Sequence, residues 1–160
     1  MTWPTHIMAW LIIGQLTWDY TTAVACSFLI DVDHLVPVIK DGFLFHPKKL
    51  RHVMINPNVI RDPETGKKED ERNYLHSVFI FVILSVIVLL INVPVGIVFA
   101  IAYATHLCFD MLDKSDYYPF FPLKRINVKW IIRYCSKQEL FFASGLFVIR
   151  LALVFTHTRI

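Results

Sequence analysis

Apolar residues fall in blocks along this chain, and the polar residues between the blocks mark where helices should begin and end. Val78–Ile91 is an apolar run broken only by Ser85. Asn92-Val93-Pro94 interrupts it, because proline lacks an N–H and disfavours helix in the residue before it. Apolar character resumes over 95–104 and continues towards Asp113. Residues 140–155 form another block, which contains Arg150. Residues 8–16 and 20–30 form two more, divided at Thr17-Trp18-Asp19. The pattern predicts five helices, at approximately 5–17, 19–33, 75–92, 94–112 and 139–157. The fold class expected is all-α, a helical bundle forming a single domain over 1–160. The polar stretch at about 56–73, rich in turn formers, is expected to be a mobile loop. A membrane-spanning helix needs about 20 residues, with roughly 17 as the lower limit. Helices this short span only with the help of their polar flanks. The N-terminus lacks the basic region and small-residue cleavage site of a secretory signal, so the first block is expected to be a retained helix.

Composition moves the bundle into the membrane. Hydrophobic residues make up 56% of the chain and charged residues 18%, against roughly a quarter charged in an ordinary soluble domain. Three cysteines without a C-x-x-C pair exclude a disulfide framework or zinc ribbon. The charges are segregated. Residues 40–75 hold 14 and residues 113–139 hold nine, and these two loops contain 14 of the 16 Lys and Arg. By the positive-inside rule both loops are cytoplasmic, giving an integral, multi-pass protein of the cell membrane. Basic residues interleaved with aromatics in the second loop suit lipid headgroups as a partner. A net charge of +3 with interspersed acids gives no phosphate-tracking stripe, so nucleic acid is not expected as a partner. Four charges stay in or beside the apolar blocks: Asp31, Asp33, Asp110 and Arg150. Ionisable groups at such depth are costly and mark functional sites.

In the five-helix topology the tight turns near Trp18 and Val93 face one side. Depth can then be measured from those turns at about 1.5 Å per residue. His6 lies about 18 Å back from Trp18, and Asp31 about 20 Å beyond it, with His34 a turn further. From Val93, His106 lies about 20 Å forward, while His76 and Asp110 lie about 26 Å away in opposite directions along the chain. His and Asp side chains from four helices thus share one layer near the cytoplasmic edge. His106 and Asp110, four apart, project from one helical face, as do Asp31 and His34, three apart. Imidazole and carboxylate without thiolate suit a divalent metal, zinc first and manganese or iron less specifically. Arg150 offers the competing account, as a structural partner for a buried carboxylate. Cys26, Cys108 and Cys135 read as packing residues, and His46 and His52 as solvated ones.

In this order, His6, Ile30-Asp31-Val32-Asp33-His34, Leu75-His76-Ser77 and His106-x-x-x-Asp110, followed by the aromatic, Pro-rich stretch 117–122, resemble the YdjM-like family of membrane-bound metal-dependent hydrolases. That family is similar to the zinc-dependent phospholipases C and single-strand-specific nucleases. Ile30 stands where members commonly have proline. Glu71 and Leu75 stand where the family has His and Thr in H-R-G-x-T-H-S.

The resemblance implies a hydrolase in which bound metal acidifies a water that attacks a phosphoester or lipid-linked small molecule. It implies His6, Asp31, His76, His106 and Asp110 as ligands, and Asp33 or His34 as orienter or general base. Arg72 would hold an anionic substrate, and His52 is the residue that could replace the missing histidine. Two other classes compete: a non-enzymatic membrane protein with a structural or degenerate metal site, and, less favoured by its apolar outer halves, an ion or proton transporter. Oligomeric state is left open.

Overall fold

The computed structural model describes residues 3–34, 39, 74–114, 117–123, 125–128, 130–132 and 136–157. Among these it is all-helical, with α1 (Trp3–Thr17), α2 (Tyr20–Asp31), α3 (Val78–Ile91), α4 (Val93–Leu112) and α5 (Lys137–His157). A short 3-10 turn, Val32–His34, extends α2. Both ends of α2 and the start of α3 differ from expectation by one to three residues, each for a local reason. Asp19 caps α2, accepting from the Thr22 N–H at 2.9 Å, and hydrogen bonds from Thr22 hold its carboxyl below the usual carboxylate range. Ser77 caps α3, so His76 rides on the turn 74–77 rather than inside a helix. The polar stretch 56–73 lies outside the described residues.

Two helical hairpins are drawn tight by glycine. A Cβ built on Gly14 would come within 2.5 Å of the Tyr20 ring and 2.8 Å of Tyr20 Cα, so α1 and α2 approach backbone to backbone. On Gly96 it would meet Leu89 Cα at 2.5 Å, which does the same for α3 and α4. Trp18, at φ 60°, makes the first turn, and Asn92 makes the second. The Asn92 N–H donates to Val88 O at 2.9 Å while its side chain accepts from Val95 N at 3.1 Å, closing one helix and opening the next.

Helices α1, α2 and α4 pack mutually around Ile13, Cys26, Ile30, Phe99, Ala102 and Leu107. Helix α3 lies against α4, and α5 against α1. Two helices, α4 and the 20 residues of α5 up to Thr156, are long and apolar enough to cross a membrane, while α2 and α3 are shorter apolar helices. Large apolar side chains face outward, among them Leu90 at 83% and Phe141 at 78% exposure. The polar residues are inside: His6, Asp31, Asp33, His76, His106 and Asp110 are all buried. This inversion suits a solvent as apolar as the core. After α4 the chain folds back on itself: Lys114 N and Ile132 N donate to Ile132 O and Leu112 O at 2.8 and 3.0 Å, and Val128 N to Tyr117 O at 2.8 Å. The described pieces of this cap bond to the 76–78 segment, at the end of the bundle opposite the two tight turns.

The close approach at Gly96 is testable against Gly145, whose added Cβ would meet nothing within 4 Å. Gly96→Val should cost about 1–3 kcal/mol, and Gly145→Ala should be neutral or slightly stabilising. Thermal unfolding of both variants in detergent checks this.

Candidate metal centre

The capped end of the bundle gathers side chains from α1, α2, α4 and the turn before α3. His6 enters from the first turns of α1, and Asp31 from the last residue of α2. His106 and Asp110 share one face of α4. His76 reaches in from the 74–77 turn. The five predicted ligands are thus brought together, with the correction that His76 arrives from a turn. The 3-10 geometry beyond Asp31 also changes which neighbour takes part. Asp33 Oδ2 lies 3.1 Å from His76 Nδ1, whereas His34 ends the 3-10 turn. Arg72, Glu71 and His52 lie outside the described residues.

Four atoms form the centre of the cluster. His76 Nε2 is 3.2 Å from Asp110 Oδ2, 3.8 Å from Asp31 Oδ1 and 3.3 Å from His106 Nε2. His106 Nε2 is 3.4 Å from both Asp31 Oδ1 and Asp110 Oδ2. These are five of the six edges of a tetrahedron. Zinc–nitrogen and zinc–oxygen bonds of about 2.0–2.1 Å imply tetrahedral edges of about 3.4 Å. Asp110 uses its other oxygen on His6, with Oδ1 3.4 Å from His6 Nε2. The ligating atoms of two groups, His6 with His106 and Asp110, and Asp31 with His76 and His106, each lie within 4.8 Å of one another.

With both carboxylates ionised, imidazole N–H groups alone do not balance this arrangement. His76 donates from Nδ1 to Asp33, so its neutral ring presents a lone pair at Nε2. That lone pair would face two carboxylates and the Nε2 of His106. Protonating His76 relieves it, but His106 Nε2 has the same neighbours, and two N–H groups cannot point at each other across 3.3 Å. With both carboxylates ionised, whichever ring carries the proton, the other still aims a lone pair at carboxylate oxygens. A divalent cation among the four atoms removes the conflict, and imidazole with carboxylate is a donor set that fits one. The Asp33 contact is the carboxylate–histidine pairing that fixes the tautomer of a metal-binding ring.

Aromatic stacking holds two of the rings. His6 stacks on His106 with centroids 4.2 Å apart and planes at 15°, and Trp10 lies nearly parallel to His106 at 5.9 Å. His6 and Trp10 are four residues apart on α1, the spacing that puts both rings on one face. That spacing was visible in the sequence, although Trp10 was not singled out there.

Arg150 is not the counter-charge. The Thr5 hydroxyl donates to Glu139 Oε1 at 3.2 Å, which aligns the starts of α1 and α5. Eleven residues on, Arg150 stands about 16 Å further along, level with Leu16 near the tight-turn end. It is half-buried, and its Nε has no hydrogen-bond partner among the described residues. Asp113 and Glu139, both 2% exposed, are buried carboxylates that the sequence had placed among loop charges. Asp113 lies seven residues after His106, two helical turns along the same face, and that was the available signal. Cys26 is buried, as a packing role requires, whereas Cys108 is exposed on the outer surface of α4 rather than packed inside the bundle. Cys135, His46 and the role of Arg72 in holding an anionic substrate concern residues outside those described.

The chain matches the family model described as YdjM inner membrane protein over residues 1–159 and belongs to that family. Neither the curated proteins nor the solved structures provide a match.

The geometry separates the carboxylates by role. Asp33→Asn should weaken zinc binding roughly 10–100-fold by loosening His76, whereas Asp110→Asn, which alters a carboxylate facing three histidines, should lose more. Arg150→Leu should leave affinity unchanged. Chelator competition on the purified variants measures all three.

Proposed function

We propose that this inner-membrane-family protein is a divalent-metal-dependent hydrolase with its site at the cytoplasmic edge of the bundle. The carrying observation is the near-tetrahedral set His76 Nε2, His106 Nε2, Asp31 Oδ1 and Asp110 Oδ2, with edges of 3.2–3.8 Å. His6, Asp31, His76, His106 and Asp110 are the residues that would hold metal, zinc being favoured by the donor set. The chemistry such a cation supplies when bound is Lewis acidity, which acidifies water and polarises an ester oxygen.

The chain's own residues do the rest. Asp33 orients His76 through Nδ1. Its second oxygen, Oδ1, is buried with no hydrogen-bond partner among the described residues, which makes Asp33 rather than His34 the favoured proton acceptor. His6 is held in place by stacking on His106 and by Asp110. The substrate class, a phosphoester or lipid-linked molecule, rests on the likeness of the motifs to zinc-dependent phospholipases and nucleases. Arg72 and the other loop cations are proposed to receive its negative charge. The segregation of Lys and Arg supports the cytoplasmic orientation, the multi-pass arrangement and anionic headgroups as neighbours.

A second reading has one observation in its favour. Every ligand is at most 8% exposed, and closed sites are characteristic of structural metals. The two readings part in one experiment. Detergent-purified protein should contain stoichiometric divalent metal that His106→Ala removes, and should hydrolyse phosphodiester or phospholipid substrates in a metal-dependent way. Metal without turnover would leave a metal-stabilised scaffold. Absence of metal from the wild-type chain would overturn both.

A further inference from the structure

His76 is the one ligand not carried by a helix, yet its ring is fully buried and meets Asp33, Asp31, Asp110 and His106 at once. A side chain on a four-residue turn has no intrinsic rigidity to achieve this. The backbone of the turn is held from outside. The buried Tyr117 hydroxyl donates to the carbonyl of His76 itself at 2.6 Å. The Tyr103 hydroxyl donates to the preceding carbonyl, Leu75 O. On the other side of His76, the Ser77 hydroxyl donates to Phe121 O at 2.8 Å and Val78 N donates to Pro119 O at 2.8 Å. Four bonds from outside the turn grip four successive residues.

The two tyrosines come from different elements. Tyr103 stands on α4 three residues before His106, so the helix that supplies one ligand also fixes the height of another. Tyr117 belongs to the cap and is itself anchored, its N–H donating to Asn127 Oδ1 at 3.1 Å and its carbonyl accepting from Val128. Both tyrosines are 0% exposed. A buried phenol is costly to place without a partner, and here the partner in each case is a carbonyl flanking or belonging to His76.

We propose that Tyr117, with Tyr103 in support, is a positioning residue for the metal centre. Its hydroxyl fixes the His76 carbonyl and thereby the register in which Nε2 meets Asp31, Asp110 and His106. This rests on the metal-centre reading, and the segment 117–122 becomes part of the site without touching it. Tyr118, the adjacent half-buried tyrosine, makes no side-chain hydrogen bond among the described residues and serves as the control.

The test uses full-length Tyr117→Phe, Tyr103→Phe and Tyr118→Phe in detergent, with helicity, zinc affinity by chelator competition, the visible spectrum of the cobalt-substituted protein, and amide exchange over residues 74–79 of the metal-free chain. Tyr117→Phe should keep its helicity, bind zinc roughly 10–100-fold more weakly, as removal of outer-shell support does, and shift the cobalt spectrum. Tyr103→Phe should move in the same direction, and Tyr118→Phe should match wild type. Wild-type affinity and spectrum in Tyr117→Phe would overturn the proposal. So would a general loss of helicity in both Tyr117→Phe and Tyr103→Phe, which would make the tyrosines simply structural. If wild type binds no metal, the metal reading fails by itself. Positioning is then judged by exchange alone: faster exchange at 74–79 in Tyr117→Phe but not Tyr118→Phe supports it, and equal exchange refutes it.

Discussion

Buried negative charge is the constraint on which this fold turns. Asp31, Asp33 and Asp110 sit at one end of an apolar bundle, where an unbalanced carboxylate is strongly penalised. The cationic side chain in the apolar helices that could have balanced them, Arg150, stands near the opposite end. What faces the carboxylates is imidazole, from three separate segments. The same side chains are positioned to hold a metal ion.

The rest of the architecture delivers the ligands to one depth. Gly14 and Gly96 let each hairpin close backbone to backbone, and Asp19 and Asn92 terminate the turns sharply. With both turns at one end, residues a similar number of helical steps away meet at the other. A sloppier turn would shift His6 relative to Asp31, or His76 relative to Asp110, by a residue's rise of about 1.5 Å, several times the roughly 0.2 Å tolerance of a coordination distance. Packing at the turn end and chemistry at the capped end are two consequences of the same register.

That relation is why so much was legible in the sequence. Apolar blocks and their interruptions locate five helices, and counting from the turns puts His6, Asp31, His76, His106 and Asp110 in one layer. Legibility stopped where helical periodicity stopped. The 3-10 turn after Asp31 makes Asp33 the partner of His76, although a continuous helix would pair Asp31 with His34. Ser77 delays α3 and leaves His76 on a turn. The roles of Tyr103 and Tyr117 depend on which carbonyls approach their hydroxyls, and that is settled only by tertiary packing between segments far apart in sequence. Asp113 and Glu139 looked like loop charges because they stand at helix ends, where a boundary of two residues separates solvent from interior.

The cap has a bearing on how the protein comes into being. The α1–α2 hairpin is the first to be synthesised, and it carries Asp31 and Asp33 towards the site before any of His76, His106 or Tyr117 exists. The grip on the His76 turn closes only when the chain has grown past Phe121. Until then the acidic end of the hairpin has no complete set of partners, and an apolar surrounding would penalise its unbalanced carboxylates. The carboxylates carried by the first hairpin thus draw every one of these later partners from segments that follow them in the chain.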